Sequence, residues 1–281
     1  RRFGNHAIGD SASLSDAPNR YDPLMVLSAL SSALLERKLT GLEWLALLRT
    51  NVVGVIICCM SSRSSHVRAA ALAVLGRSYA SVKSANFSEQ EQVVLVLEML
   101  RDIVGSPEER EDDVEIPVSP FSTTLFFAHV FRAIAAPANF TFPSFMRFLL
   151  QRPRYDAFDL PLLYNFLASS SDDYRQERIW ILRFLCDVLR SGGHFEWQLC
   201  RKRHVPDLLM GLYSSLQSQA GTLQARALIE EAFEIMCSQS KPARDLLGRH
   251  GMLTWIRQQQ RNEKEPREYW LRIATLSMQQ D

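Results

Sequence analysis

Residues 169–215 read SSSDDYRQERIWILRFLCDVLRSGGHFEWQLCRKRHVPDLLMGLYSS, and this stretch decides the fold. Asp172 or Asp173 stands where a helix N-cap belongs, ahead of a polar first turn. Apolar residues then recur at Ile179, Leu182, Leu185, Cys186 and Leu189, and Trp180, Phe184 and Val188 widen the stripe. Spacing of three and four residues buries one broad helix face. Trp180, Leu182, Leu185 and Leu189 are therefore expected in the core, with Trp180 enclosed between helices. Ser191, Gly192 and Gly193 stop the helix, since glycine tolerates the left-handed geometry of a helix end. A second apolar run follows (Phe195, Trp197, Leu199), then a basic turn of Arg201, Lys202, Arg203 and His204. A third run, 205–213, has Pro206 at an early helical position, where its missing N–H costs little. Helix, short turn, helix, basic turn, helix is the construction of an α-solenoid.

The same grammar extends outward. Tyr21, Asp22 and Pro23 open a first helix that runs to about Leu35, with Asp22 as its cap. A short helix at 42–48 follows. Residues 52–60 are apolar on nearly all sides and predict an inner helix, about half the length a membrane span needs. After a polar turn, 66–79 places Val67, Ala71, Val74, Leu75 and Tyr79 on one face. This V-R-x-A-A-L-A-V-L-G phrasing resembles the second helix of a HEAT or armadillo repeat. Ser88 and Glu91 have the spacing of a capping box ahead of a helix at 93–104. Further helices are predicted at 121–136, 144–150, 160–168, 223–236, 244–247, 252–258 and 269–278. No useful length alternates with period two. The expected fold class is therefore all-α, an irregular α-solenoid of HEAT- or armadillo-like helical repeats with essentially no sheet.

Repetition has its own signal. A basic residue, a turn residue and an apolar helix start recur at Arg49-Thr50-Asn51-Val52, at Arg203-His204-Val205 and at Arg249-His250-Gly251-Met252. Val205 and Met252 are 47 residues apart, at the long end of the repeat length of such solenoids. Residues 105–120 break the pattern with Pro107, Pro117, Pro120 and an acidic run of Glu108, Glu109, Glu111, Asp112, Asp113 and Glu115. The expected organisation is a flexible arm at 1–20, helical repeats at 21–104, an acidic, proline-rich linker at 105–120, and helical repeats at 121–281. The start at Arg1 rather than methionine reads as a piece cut from a longer protein.

Composition is ordinary for a globular chain: 281 residues, 47% hydrophobic, 22% charged and a net charge of +1. No global field draws such a chain to nucleic acid or membrane, so any such contact needs a local patch. Cys58, Cys59, Cys186, Cys200 and Cys237 form no C-x-x-C pair and read as small buried hydrophobes. No phosphate-binding glycine loop or H-E-x-x-H pattern is present. Gly76-Arg77-Ser78-Tyr79 begins like a nucleophile elbow, but Ala80 replaces the second glycine and no strand precedes it. The six histidines are scattered, without ligand partners at helical spacing. Glu230, Glu231 and Glu234 read as a solvated helix face. No enzyme activity, metal or cofactor is expected.

The stretch at 169–215 also carries a resemblance. Tyr174, Glu177, Arg178, Trp180, Leu182, Arg183, Asp187, Leu189, Arg190, Arg201, Arg203 and Tyr213-Ser214-Ser215 match the order of a known pattern. Tyr21-Asp22-Pro23, the FLLQRP segment at 148–153, Leu160-Pro161-Leu162 before Tyr164, and Arg249-His250-Gly251 with Trp255 extend it to about Gln260. Together they resemble the C-terminal domain of the nucleolar pre-ribosomal-associated protein family, a scaffold of large-subunit ribosome biogenesis. Val188 stands where that family is expected to hold a glycine. The resemblance implies a non-catalytic scaffold in the nucleolus, within the nucleus. It also implies contact with ribosome-assembly proteins, a DEAD-box helicase among them, and with pre-ribosomal RNA. The alternative is a generic HEAT or armadillo interaction adaptor unrelated to ribosomes.

Arg175, Arg178, Trp197, Arg201, Lys202 and Arg203 are the candidate contact cluster. As a binding patch, Arg175, Arg201, Lys202 and Arg203 would meet RNA phosphates or a protein, with an exposed ring free to stack. As a structural feature, the tryptophans are core and the arginines cap helix ends or pair with Asp172, Asp173 and Glu177. One short basic turn is a small footprint, which favours a protein over RNA as its partner.

Overall fold

The structure is a computed structural model. It describes residues 22–36, 38–104, 116–151, 154–216 and 222–262, with 272, 273, 275 and 278. Every regular element among these is a helix, so the fold is all-α. The chain divides into two compact units, Arg1–Pro161 and Leu162–Asp281. The arm expected at 1–20 and most of the linker expected at 105–120 lie outside the described residues.

The first unit contains α1 (Pro23–Glu36), α2 (Gly41–Arg49), α3 (Val52–Cys59), α4 (Ser65–Ser84), α5 (Gln90–Val104), α6 (Phe121–Ile134) and α7 (Thr141–Leu150). Asp22 caps α1 as its sequence implies, accepting from the Leu24 amide at 2.9 Å. The capping box falls at α2 instead of α5. The Thr40 amide donates to Glu43 Oε2 at 2.9 Å, and the Glu43 amide donates to Thr40 Oγ1 at 3.4 Å. Ser88, expected in that role, gives its hydroxyl to Glu89 Oε2 at 2.6 Å, and α5 opens at Gln90.

Helices α3 and α6, on either side of 105–120, pack against each other within this unit. Gly54 permits the approach: a Cβ there would stand 2.3 Å from Asn51 Oδ1 and 3.1 Å from Ala128 Cβ. Behind α6, Phe126 meets Phe145 and Phe148 edge-on at 5.4 and 5.5 Å, the geometry that ring quadrupoles favour. Arg68 on α4 is 2% exposed. Its Nε donates to the Ile116 carbonyl, and its Nη1 to the Ser62 and Arg63 carbonyls, all at 2.9 Å. The Ser119 amide adds a bond to the Met60 carbonyl at 3.2 Å. A buried guanidinium thus ties residues 116–119 to the turn between α3 and α4, each bond strengthened by its charge.

The second unit contains α8 (Leu163–Leu167), α9 (Tyr174–Arg190), α10 (His194–Lys202), α11 (Val205–Leu216), α12 (Leu223–Cys237), α13 (Ser240–Arg249) and α14 (Met252–Asn262). Helix α9 packs against α12 and buries Ile181, Leu182, Phe184, Leu185, Cys186, Val188 and Leu189. Leu182, Leu185 and Leu189 are where the sequence puts them. Trp180 is not: it is half-buried, and Ile181 takes the enclosed position. The reason is its second neighbour. The Trp180 ring faces the short helix α8, edge-on to Phe166 at 5.5 Å, and stacks on Phe184 at 5.3 Å at the rim of the α9–α12 contact. Gly192, at φ +65°, closes α9 as glycine is expected to. The helix expected at 269–278 lies mostly outside the described residues, but Ile273 is buried and Arg272 pairs with Glu234 at 2.8 Å. Burial pushes the thiols of Cys186, Cys200 and Cys237 up to about 12, which keeps them protonated and unreactive at neutral pH.

This packing sets two expectations for stability. Leu185→Ala is expected to cost about 2–5 kcal/mol in a denaturant melt, and Trp180→Ala about 2 kcal/mol, because solvent already reaches the indole. A larger loss at Trp180 than at Leu185 would contradict this placement. Arg68→Met keeps the volume but orphans three carbonyls, and is expected to cost about 2–4 kcal/mol. An unchanged melting transition would show that the 116–119 anchor contributes nothing.

Candidate interaction surface on the second unit

The basic turn after α10 has a defined backbone. His204 adopts φ 53°, left-handed, one residue before α11 opens at Val205. The Arg203 amide closes onto the Leu199 carbonyl at 3.1 Å and the His204 amide onto Arg201 at 3.0 Å. Forty-seven residues on, Gly251 adopts φ 61° one residue before α14 opens at Met252. Val205 and Met252 are both fully buried. Two of the joints read from the sequence as one repeated phrase thus share one conformation, and Asn51 before α3 has it too, at φ 60°.

Side-chain contacts set α10 alongside α13 with matching direction. His194 at the start of α10 lies 2.8 Å from Lys241 near the start of α13. Further along, Trp197 Nε1 donates to Asp245 Oδ2 at 2.9 Å. Arg201 and Arg249 each stand 3.6 Å from the Asp245 carboxylate, whose side chain is 14% exposed. At the far end Asp207 holds His250 at 3.0 Å and His204 at 3.6 Å. Asp245 is the hub: one shielded carboxylate accepts from a buried indole and orients two guanidiniums.

Trp197 is 3% exposed, so it is core and offers no face for stacking. Arg201 is half-buried on Asp245. Lys202 is exposed. Arg203 is half-buried, and its carbonyl accepts from the Tyr164 hydroxyl at 3.2 Å. Arg175 is exposed and elsewhere: its Nε donates to the Tyr174 hydroxyl at 2.9 Å, and Arg178 lies over the same ring, 5.5 Å from its centre. The cations at the start of α9 therefore lean on an aromatic ring. Glu177, one of the three expected acidic partners, is buried and accepts from the Ser171 hydroxyl at 2.9 Å. The supposed solvated face of α12 is paired too. Glu230 accepts from Tyr213 at 2.9 Å, and Glu231 pairs with Arg190.

Sequence reading missed Lys241 and Asp245, which α13 brings beside α10, and gave Arg249 only as part of the repeated phrase. The signal was present, since the 47-residue repeat places Lys241 opposite His194 and Arg249 opposite Lys202. Among the described residues no group of three or more His, Cys, Asp or Glu could hold a metal ion. No single described helix is long and apolar enough to cross a membrane.

The described residues are thus all-helical, with a left-handed joint before both α11 and α14 and a charged edge along α10 and α13. The family model described as nucleolar pre-ribosomal-associated protein 1 matches residues 53–255, and the chain belongs to that family. It is 26% identical over 247 residues to the mouse nucleolar pre-ribosomal-associated protein 1, covering 88% of this chain. It is 25% identical over 242 residues to the human protein of the same name, covering 86% of this chain. The match spans 10% of each relative, so the chain corresponds to about a tenth of their length. No solved structure matches it. Both relatives are named for the nucleolus, and the chain is assigned to that compartment of the nucleus on this ground.

Asp245→Ala would leave the Trp197 indole N–H without its acceptor and two guanidiniums without their carboxylate. The expected loss is about 1–3 kcal/mol in thermal or denaturant unfolding. A stability equal to the unmodified chain would remove Asp245 from its role as the hub.

Proposed function

We propose that this chain is a non-catalytic, helical-repeat scaffold acting in early assembly of the large ribosomal subunit. Membership of a family whose relatives are named pre-ribosomal-associated carries the reading. The repeated joint at His204 and Gly251 supports the scaffold part, because tandem helical repeats stack into solenoids with extended binding surfaces. In this reading the partners are ribosome-assembly proteins, including a DEAD-box helicase, with pre-ribosomal RNA as a further contact. The candidate contact residues are Arg175, Arg201, Lys202 and Arg203. Among the described residues Arg68, Glu177 and Asp245 hold turns and helices together, which supports a structural role for these polar side chains.

Affinity purification of the protein that contains this chain from nuclear extract tests the reading. Large-subunit assembly factors and precursor ribosomal RNA are expected to co-purify, and to disappear when the segment matching this chain is deleted. Recovery of transport or signalling proteins in their place would favour the generic adaptor.

A further inference from the structure

The edge formed by α10 and α13 carries more positive charge than the basic turn alone. His194, Gln198, Lys202, Lys241, Arg244 and Arg249 are all exposed along it, and Arg201 is half-exposed between them. Lys241 spans its side chain to the His194 ring at 2.8 Å, with no carboxylate beside it among the described residues. Lys202 has no ion-pair partner among the described residues. The carboxylates nearby are already used. Asp245 is shared by Arg201, Arg249 and Trp197, and Asp207 by His204 and His250. Lys241 and Arg249 lie eight residues apart on one helix, so the strip is about 12 Å long.

The geometry points to this strip as a binding edge for the phosphate backbone of single-stranded RNA, without base specificity. Three observations select that occupant. The cations lie on two parallel helices, in a row, as a polyanion with regularly spaced charge requires. Apart from Gly248, the exposed positions of α10 and α13 are all polar or charged, so a partner helix would find no apolar side chains for its anchors. Trp197 of α10 is buried, so its indole offers bases no stacking face and the exposed cations meet phosphates. The small footprint that favoured a protein partner for the basic turn is enlarged by α13. The inference deepens the scaffold reading by naming what this edge holds, and it can fail independently, since it is measured on the purified chain.

The test is fluorescence anisotropy of the 281-residue chain with a labelled oligouridylate, titrated at several salt concentrations. Two triple variants are compared: Lys202→Gln, Lys241→Gln, Arg244→Gln on the strip, and Lys38→Gln, Arg63→Gln, Arg132→Gln, exposed cations of the first unit. The strip variant is expected to bind at least about tenfold more weakly. Its log–log salt slope should fall by about 2, because each phosphate that a cation no longer neutralises removes about 0.7. The control variant should weaken binding by less than about twofold, an oligocytidylate should bind as well as the oligouridylate, and thermal unfolding should be unchanged in both variants. Equal weakening in both variants, or no salt-sensitive binding by the unmodified chain, would overturn the inference. So would a polyglutamate of matched length binding as tightly as the RNA, since that outcome makes the strip an edge for acidic protein segments.

Discussion

A left-handed backbone residue one position ahead of a helix is the constraint on which this architecture depends. Asn51, Leu162, His204 and Gly251 all adopt it, at φ between 53° and 61°. Only glycine enters this region freely; other L-residues give up about 1–2 kcal/mol. Something must offset that at Leu162 and His204. The residue after each, Leu163 and Val205, is almost completely enclosed, so the sharp joint drives the next apolar side chain straight into the core. A gentler turn would spare the backbone and leave that side chain outside. The direction of the helix after each joint, α11 after His204 and α14 after Gly251, is set this way.

Helices were legible because each is amphipathic over several turns and is stopped by glycine, proline or a polar turn. Residues 182, 185 and 189 fall in the core for that reason alone. Trp180 shows where periodicity stops being informative. A stripe is as wide as the surfaces that cover it, and α9 is covered by both α12 and the short helix α8. Periodicity puts Trp180 on the widened flank of the stripe and does not say how fully that flank is covered. Capping was misplaced on similar grounds. Ser88 and Thr40 both precede a suitable glutamate by three residues, and only the backbone at Thr40, extended at φ −73° and ψ 163°, lets the box close.

Polar contacts across long sequence separations were invisible beforehand. Arg68 reads as one cation in a surface-like phrase, yet it reaches a carbonyl 48 residues away. Asp245 reads as an isolated acid, yet it takes an indole N–H from 48 residues earlier. Neither neighbour can be inferred until the helices are placed. The repeat is the exception, since its period alone aligns α13 with α10. Carrying the charges of one repeat onto the other would have found Lys241 and Arg249.

That alignment also explains how a chain of net charge +1 builds a local field. Placing like charges together destabilises a fold, and the usual remedy is to intersperse acids. Here two nearby acids are each shared among several partners. Asp245 satisfies the indole and fixes Arg201 and Arg249, while Asp207 fixes the two histidines. What they neutralise is the inner row of cations. The outer cations, Lys202 and Lys241, stay in solvent, where water screens mutual repulsion and the cost to stability is small. The fold thus uses its acids to orient one row of charge and leaves the other facing solvent, within reach of a partner.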